Sequence, residues 1–416
     1  MLSLTQQRLS NGCEVLVVRL SRVPVVALVV LYRVGSQDEA PHQAGLAHLV
    51  EHLAFGTSAY LAREEFDLYC TDAGGTNNAM TTYSYTIYTM VLPQYQLPLG
   101  LWLEGSRMRA LNFTEQEFIT QQHVILEELQ ETVYNQPYAR WRDIQAQNAF
   151  APHCPYHWTV HGSLQTVAAL TVQDAREFSR RYYRPDNAVV SICGDVDPAY
   201  ALELSERFLG NIPSESGLLV RRDFSPECRR GDVVAVLPDA VPLSAVFLSF
   251  HCGGYVAPEF LQVQALADIL GGGRSSRLYR ALLLRQGLAS DVGAFLDARQ
   301  WSSLLTCYAF AATPETTAEV LRDALGEQLR HLVREGITAE EVECSRNRLQ
   351  TAYAALLQHP SGVAEEVALN AAFWGDPERA FRLMDEYAQL TAEHLTECAR
   401  QVFLPEHSVA TVVVPE

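Results

Sequence analysis

The sequence predicts a duplicated α+β protein, two homologous domains that each combine β-strands with packed helices. Three observations predict it. Apolar β-patterned runs and longer stretches of helical periodicity recur in both halves. Arg22-Val23-Pro24-Val25 opens an apolar run in the first half, and Ala240-Val241-Pro242-Leu243 opens one in the second, at an offset of 218. Leu170-Thr171 followed by Arg184-Pro185-Asp186-Asn187-Ala188-Val189 is matched by Leu390-Thr391 followed by Leu404-Pro405-Glu406-His407-Ser408-Val409, at an offset of 220. Two independent anchors with nearly one offset mark an internal repeat. Length agrees, since 416 residues are too many for one core of ordinary size. The stretch 213–232, rich in Ser, Arg, Glu and Pro, reads as a linker between domains 1–212 and 233–416.

Taken in order, residues 13–20 (Cys-Glu-Val-Leu-Val-Val-Arg-Leu) and 24–32 read as strands. A loop from Gly35 to Gly45 leads into a short apolar helix. Residues 77–92, with alternating Thr and Tyr, read as one further strand. Helices are expected near 95–109 and from Thr114 to Val133, the latter opened by a Thr114/Glu117 capping box. Asn187 to Cys193 reads as a strand closed by Gly194-Asp195.

Composition narrows the function classes. A net charge of −18 argues against nucleic acid and against an anionic membrane surface as partners. No apolar run is long enough to span a bilayer. Met1 to Gln7 is polar, and the alternation from Cys13 has strand character rather than that of a signal peptide's apolar core. The nine cysteines are odd in number and scattered, with no disulfide framework. A reducing, cytoplasmic setting is the expectation.

Chemistry concentrates in the helix after Gly45, where His48-Leu49-Val50-Glu51-His52 reads H-x-x-E-H. On a helix, i and i+4 lie on one face, so His48 and His52 can offer two imidazoles to one ion with Glu51 beside them. Two neutral imidazoles suit Zn2+, which in a catalytic site takes a third protein ligand and keeps one open position. The order reverses the commoner H-E-x-x-H and marks inverzincin metallopeptidases. For the third ligand the helix near 114–133 offers Glu127, Glu128 and Glu131. Phe118, Ile125, Leu129 and Thr132 share one face, Glu128 falls within it, and Glu127 and Glu131 are rotated toward solvent. At the repeat offset His48, Glu51 and His52 become Leu266, Ile269 and Leu270, so the second copy keeps the fold without the metal chemistry. His153, Cys154, His157 and His161 could form another metal site, but Pro152 and Pro155 point to an irregular loop.

These motifs resemble the pitrilysin-like M16 zinc peptidases, in particular the two-domain members that include the mitochondrial processing peptidases, over nearly the whole chain. Gly45 to Thr57 looks like the family's zinc helix, and Val124-Ile-Leu-Glu-Glu-Leu-Gln looks like the segment supplying its third ligand. The His52-to-Glu128 spacing fits the family pattern and singles out Glu128 over Glu127. Asn78-Ala79 with Thr81 is similar to the edge strand that pairs with substrate, and Gly271 to Tyr279 is similar to the family's glycine-rich turn. Two positions depart from the pattern. Gln121 stands where a glutamate usually supports the site, and Leu283 and Ser290 stand where active members carry an Arg and a Tyr that hold substrate.

The resemblance implies two domains that are each a largely antiparallel sheet packed with helices. It implies a metalloendopeptidase with one Zn2+ per chain on His48, His52 and Glu128, Glu51 as the catalytic base, and Asn78 and Ala79 binding substrate by strand addition. It further implies hydrolysis of unstructured peptides inside a closed chamber. Leu283 and Ser290 lead to the expectation of a heterodimer with a homologous non-zinc subunit that supplies the Arg/Tyr pair, a homodimer being the second choice. A non-catalytic assembly or peptide-presenting subunit is the alternative.

Overall fold

In the computed structural model, which describes residues 3–214, 226, 228 and 231–416, strands and helices form two compact units. The first comprises 1–129, 160–223 and 353–383, and the second 130–159, 224–352 and 384–416. Most of the expected linker 213–232 lies outside the described residues. No helix among the described residues is long and apolar enough to cross a membrane.

The first unit is built on β1 (Leu4–Arg8), β2 (Glu14–Arg19), β3 (Val25–Tyr32), β4 (Thr76–Thr81), β5 (Thr86–Pro93) and β6 (Ala188–Gly194), in the order β1-β2-β6-β3-β5-β4. Only β2 and β6 run parallel. The second unit holds β7 (Val233–Asp239), β8 (Ala245–Gly253), β9 (Ala289–Asp297), β10 (Ser302–Ala311) and β11 (Ser408–Pro415), in the order β7-β11-β8-β10-β9. Here β7 and β11 are the parallel pair. Setting β1 aside, the two sheets have the same order and the same parallel pair, so the repeat read from the two sequence anchors is a repeat of topology.

Central strands are mostly apolar because both faces are covered. β3 is buried from Val26 to Tyr32 and β6 along its whole length. One face of the first sheet is closed by helix Pro360–Trp374, whose Val363, Ala364, Val367, Ala368 and Ala371 pack on Leu16, Val29, Leu31, Ile87 and Val189. Three alanines in that helix let its axis approach the sheet closely. In the second unit helix Trp141–Ala149 covers β7, β8 and β11, with the Trp141 ring stacked on Phe247 at 4.1 Å. Trp141 and Pro360, the first residues of these two helices, are 219 apart, close to the repeat offset. Each unit thus takes the corresponding covering helix from the other half of the chain, a packing choice that no local pattern encodes.

One element differs from expectation. Residues 77–92 are not one strand but the β4–β5 hairpin. Thr82 accepts bonds at its hydroxyl from the N–H groups of Ser84 (3.2 Å) and Tyr85 (3.1 Å), which closes the turn. The side-chain-to-backbone bonds that threonine offers compete with continued strand, and here they win. The helix expected over 114–133 runs as an α-helix from Glu115 to Leu129 and ends in a wider π turn, Gln130–Tyr134. Its capping box is present, with Glu117 N–H on the Thr114 hydroxyl (3.2 Å) and Thr114 N–H on Glu117 Oε2 (2.7 Å).

Candidate metal centre

The histidine helix, Leu46–Leu53, packs against β4 and against helices Glu115–Leu129 and Val172–Tyr182. Gly45 begins it with φ +98°, and a Cβ there would lie 2.8 Å from Val167 Cγ2 and 2.9 Å from the His161 carbonyl oxygen. Only glycine meets both demands. Glu39, fully buried, accepts the Ala47 N–H (2.7 Å) and the Gly45 N–H (3.2 Å). A carboxylate at that place satisfies orphan donors and sits at the positive end of the helix dipole. Sequence reasoning missed Glu39, because its partners lie beyond the usual capping distance.

Leu46, Leu49, Val50 and Leu53 anchor the helix in the core, leaving His48 and His52 half-buried on one side. The two Nε2 atoms lie 3.2 Å apart, and Glu128 Oε2 is 3.7 Å from His52 Nε2. All three ligand atoms fall within 4.8 Å of one another, and no other such trio occurs among the described residues. A tetrahedral zinc with bonds of about 2.0–2.1 Å separates its ligand atoms by about 3.4 Å. The spacings present suit that ion with little adjustment. The His52 and Glu128 side chains retain 24% and 44% of their surface exposed. The cluster is thus open to solvent on one side, as a catalytic rather than a sealed structural site requires.

Electrostatics agree with ligation. Burial first, then the neighbouring His52 and His161, lower the His48 pKa to about 3, so its imidazole is neutral and has a lone pair to give. Its Nδ1 is buried without a hydrogen-bond partner. Glu127 and Glu131 are exposed while Glu128 is half-buried, as the helical period predicts. The positions at the repeat offset, Leu266, Ile269 and Leu270, are buried core residues.

Glu51 is 8% exposed and is not part of the trio. Its Oε2 accepts a 2.5 Å bond from the Thr81 hydroxyl on β4. Burial is the largest cause of a raised Glu51 pKa, opposed by the Thr81 bond. A desolvated carboxylate held beside a metal cluster is equipped to take and return a proton. Beneath it the Tyr88 and Tyr183 hydroxyls meet at 3.1 Å. Burial above all, with the Glu51 charge among the lesser causes, pushes both phenols up, so they remain neutral donors. The role of Thr81 toward Glu51 was invisible in the sequence, since the two are 30 residues apart.

The other site residues are placed as follows. Gln121 is half-buried two turns before Glu128 on the same helix, and no hydrogen bond joins its amide to the cluster. Asn78 and Ala79 lie on β4, the outermost strand of its sheet, so among the described residues one side of that backbone has no neighbouring strand. Leu283 lies half-buried in a π-helical segment, Tyr279–Arg285. Ser290 spends its hydroxyl on the Ala311 carbonyl (3.0 Å).

Residues 14–151 match the family described as Insulinase (Peptidase family M16), and residues 169–349 match Peptidase M16 inactive domain. The chain belongs to the M16 peptidase family. The H-x-x-E-H helix falls in the first match, and the second covers much of the half that lacks this motif. Among M16 relatives, "Zinc protease PqqE" of Helicobacter pylori is 30% identical over 359 residues, 86% of this chain and 80% of that protein. "Uncharacterized zinc protease YmxG" of Bacillus subtilis is 24% identical over 407 residues, 97% of this chain and 96% of that protein. The crystal structure of a protease from Helicobacter pylori superposes with a TM-score of 0.94 at 27% identity, covering 100% of both chains. A structure described as peptidase M16 inactive domain from Pseudomonas fluorescens, at 15% identity and covering 100% of this chain and 98% of that one, gives 0.87 and supports the fold alone.

Proposed function

We propose that this M16 chain is a zinc-dependent endopeptidase subunit that hydrolyses unstructured peptides within a closed chamber. The observation that carries the reading is the convergence of His48, His52 and Glu128 beside a buried Glu51. Their donor set, two neutral imidazoles and one carboxylate, fits Zn2+, one per chain. When bound, the ion supplies Lewis acidity toward the scissile carbonyl and acidifies water. Glu51 accepts the attacking water's proton and delivers it to the leaving amine, while Thr81 fixes the orientation of its carboxylate. The open side of β4 at Asn78 and Ala79 takes the substrate as an added strand, which gives affinity through main-chain bonds with little dependence on sequence.

A leucine offers no donor, and the Ser290 hydroxyl is already engaged, so neither replaces an Arg or a Tyr that grips substrate. This supports a heterodimer in which a homologous non-zinc subunit brings that pair, rather than a homodimer. The same two residues favour the second reading, a non-catalytic assembly or peptide-presenting subunit. None of the nine cysteines forms a disulfide, which supports a reducing, cytoplasmic setting. The experiment compares turnover of a fluorogenic unstructured peptide by the zinc-loaded chain alone, by the chain with its candidate partner, and by both with Glu51→Gln. The proposal expects activity that rises on mixing and disappears with Glu51→Gln. Full activity of the isolated chain would rule out the heterodimer. No activity in either state would favour the non-catalytic reading.

A further inference from the structure

A second concentration of polar chemistry lies in the first unit, in a cavity of about 530 Å3. Arg107, Arg109, Arg176, Arg180 and Arg184 line it, and no carboxylate does among the described residues. That is a pronounced local excess in a chain with 49 acidic and 31 basic residues. Two of these arginines are already answered by acids. Arg107, 1% exposed, donates to Glu104 (3.2 Å), and Arg184 donates to Asp186 (2.7 Å). Neither Arg109 nor Arg176 pairs with a carboxylate among the described residues, so these two positive charges have no acidic partner there.

Among the described residues, two polar atoms of the lining, Arg109 Nε and Ser214 Oγ, are buried without a hydrogen-bond partner, whereas the Arg107 guanidinium lies over the Phe66 and Tyr88 rings, 4.1 Å from each centroid. A buried guanidinium N–H left unsatisfied costs free energy, and such atoms in a native fold call for an occupant. Guanidinium groups match phosphate geometry with paired donors. The remaining wall is apolar, with Met108, Leu111, Phe113 and Pro185, and the volume suits a small molecule rather than a bare ion.

We propose that this cavity binds a phosphate monoester. Arg109 and Arg176 hold the dianion, and the apolar wall takes the organic part. The site is distinct from the metal centre, although Arg107 links them by donating from Nε to the Ala54 carbonyl at the end of the histidine helix (3.1 Å).

The test is titration calorimetry of the full chain with phenyl phosphate and with inorganic phosphate, in chloride buffer at fixed ionic strength so that general screening is constant. The expected result is one site per chain, with phenyl phosphate bound about tenfold tighter because its ring leaves water. Arg109→Gln with Arg176→Gln should weaken binding by at least about tenfold. Exposed Arg176→Gln alone serves if the double variant does not match the wild-type melting midpoint in chloride. His48→Ala with His52→Ala should leave binding intact. Absence of binding, equal affinity for the two ligands, unchanged affinity in the arginine variants, or binding that vanishes with the histidines would each overturn the proposal.

Discussion

At the scale of single residues, the Thr81 hydroxyl holds the Glu51 carboxylate, the base of the proposed reaction. The bond is short and its acceptor is charged when active, the class of hydrogen bond worth about 1.5–3 kcal/mol. Thr81→Val should therefore lower kcat/KM by roughly 10- to 100-fold with zinc content unchanged, while Thr81→Ser keeps most activity. Steady-state kinetics with metal analysis on the same samples checks this, and equal losses in both variants would show that methyl packing rather than the hydroxyl matters. Gln121 belongs to the same scale. On the helix that carries Glu128, a carboxylate at that position would make the surroundings more negative, so Gln121→Glu should tighten zinc binding in chelator competition. Unchanged affinity would remove residue 121 from any role at the site. His48 and His52 were legible as a pair because helical spacing puts them on one face, and Glu128 because its own helix turns it inward and the family resemblance singles it out. Thr81 and Glu39 were not, because their contacts cross between elements and no motif or periodicity marks either contact.

At the scale of elements, the metal centre depends on where the histidine helix begins. Gly45→Ala places a Cβ in a left-handed conformation, at about 1–2 kcal/mol, and against Val167 and the His161 carbonyl. A melting midpoint lower by at least about 3 °C and weaker zinc binding are expected, measured by calorimetry and chelator competition. An unchanged midpoint would contradict the account of that turn. The covering helix Pro360–Trp374 gives a pH-dependent prediction. Burial raises the Glu366 pKa despite the bond from the Tyr353 hydroxyl (3.2 Å). An acid with a raised folded-state pKa favours the fold while protonated and loses that contribution as pH rises through the folded value. Glu366→Gln should thus stabilise the chain at neutral pH, with the advantage vanishing well below about pH 4, as both states of the wild-type acid become protonated. Thermal melts across that range decide it, and an advantage independent of pH would exclude ionisation as the cause. The strand pattern of 77–92 was readable while its division into a hairpin was not, since the Thr82 hydroxyl's bonds depend on a turn already formed.

For the whole molecule, duplication explains why only one half of the chain carries the candidate metal cluster among the described residues. Both halves build the same strand order, yet Leu266, Ile269 and Leu270 fill the second copy's core where the first carries His48, Glu51 and His52. The repeat was legible from two short motifs at nearly one offset. The exchange of helices Trp141–Ala149 and Pro360–Trp374 was not, because the sequence shows that two copies exist without showing which sheet each covers. The arginine-lined cavity also escaped notice, as its lining is drawn from three separated stretches around 107–113, 176–185 and 213–214. The most direct measurement is zinc stoichiometry, by elemental analysis, in the wild-type chain, in Glu51→Gln, in Glu128→Gln and in His48→Ala with His52→Ala. The account predicts one zinc per chain in the wild type and in Glu51→Gln, a reduced content in Glu128→Gln, and none in the double histidine variant. Full zinc retained in the double histidine variant, or lost from Glu51→Gln alone, would contradict it.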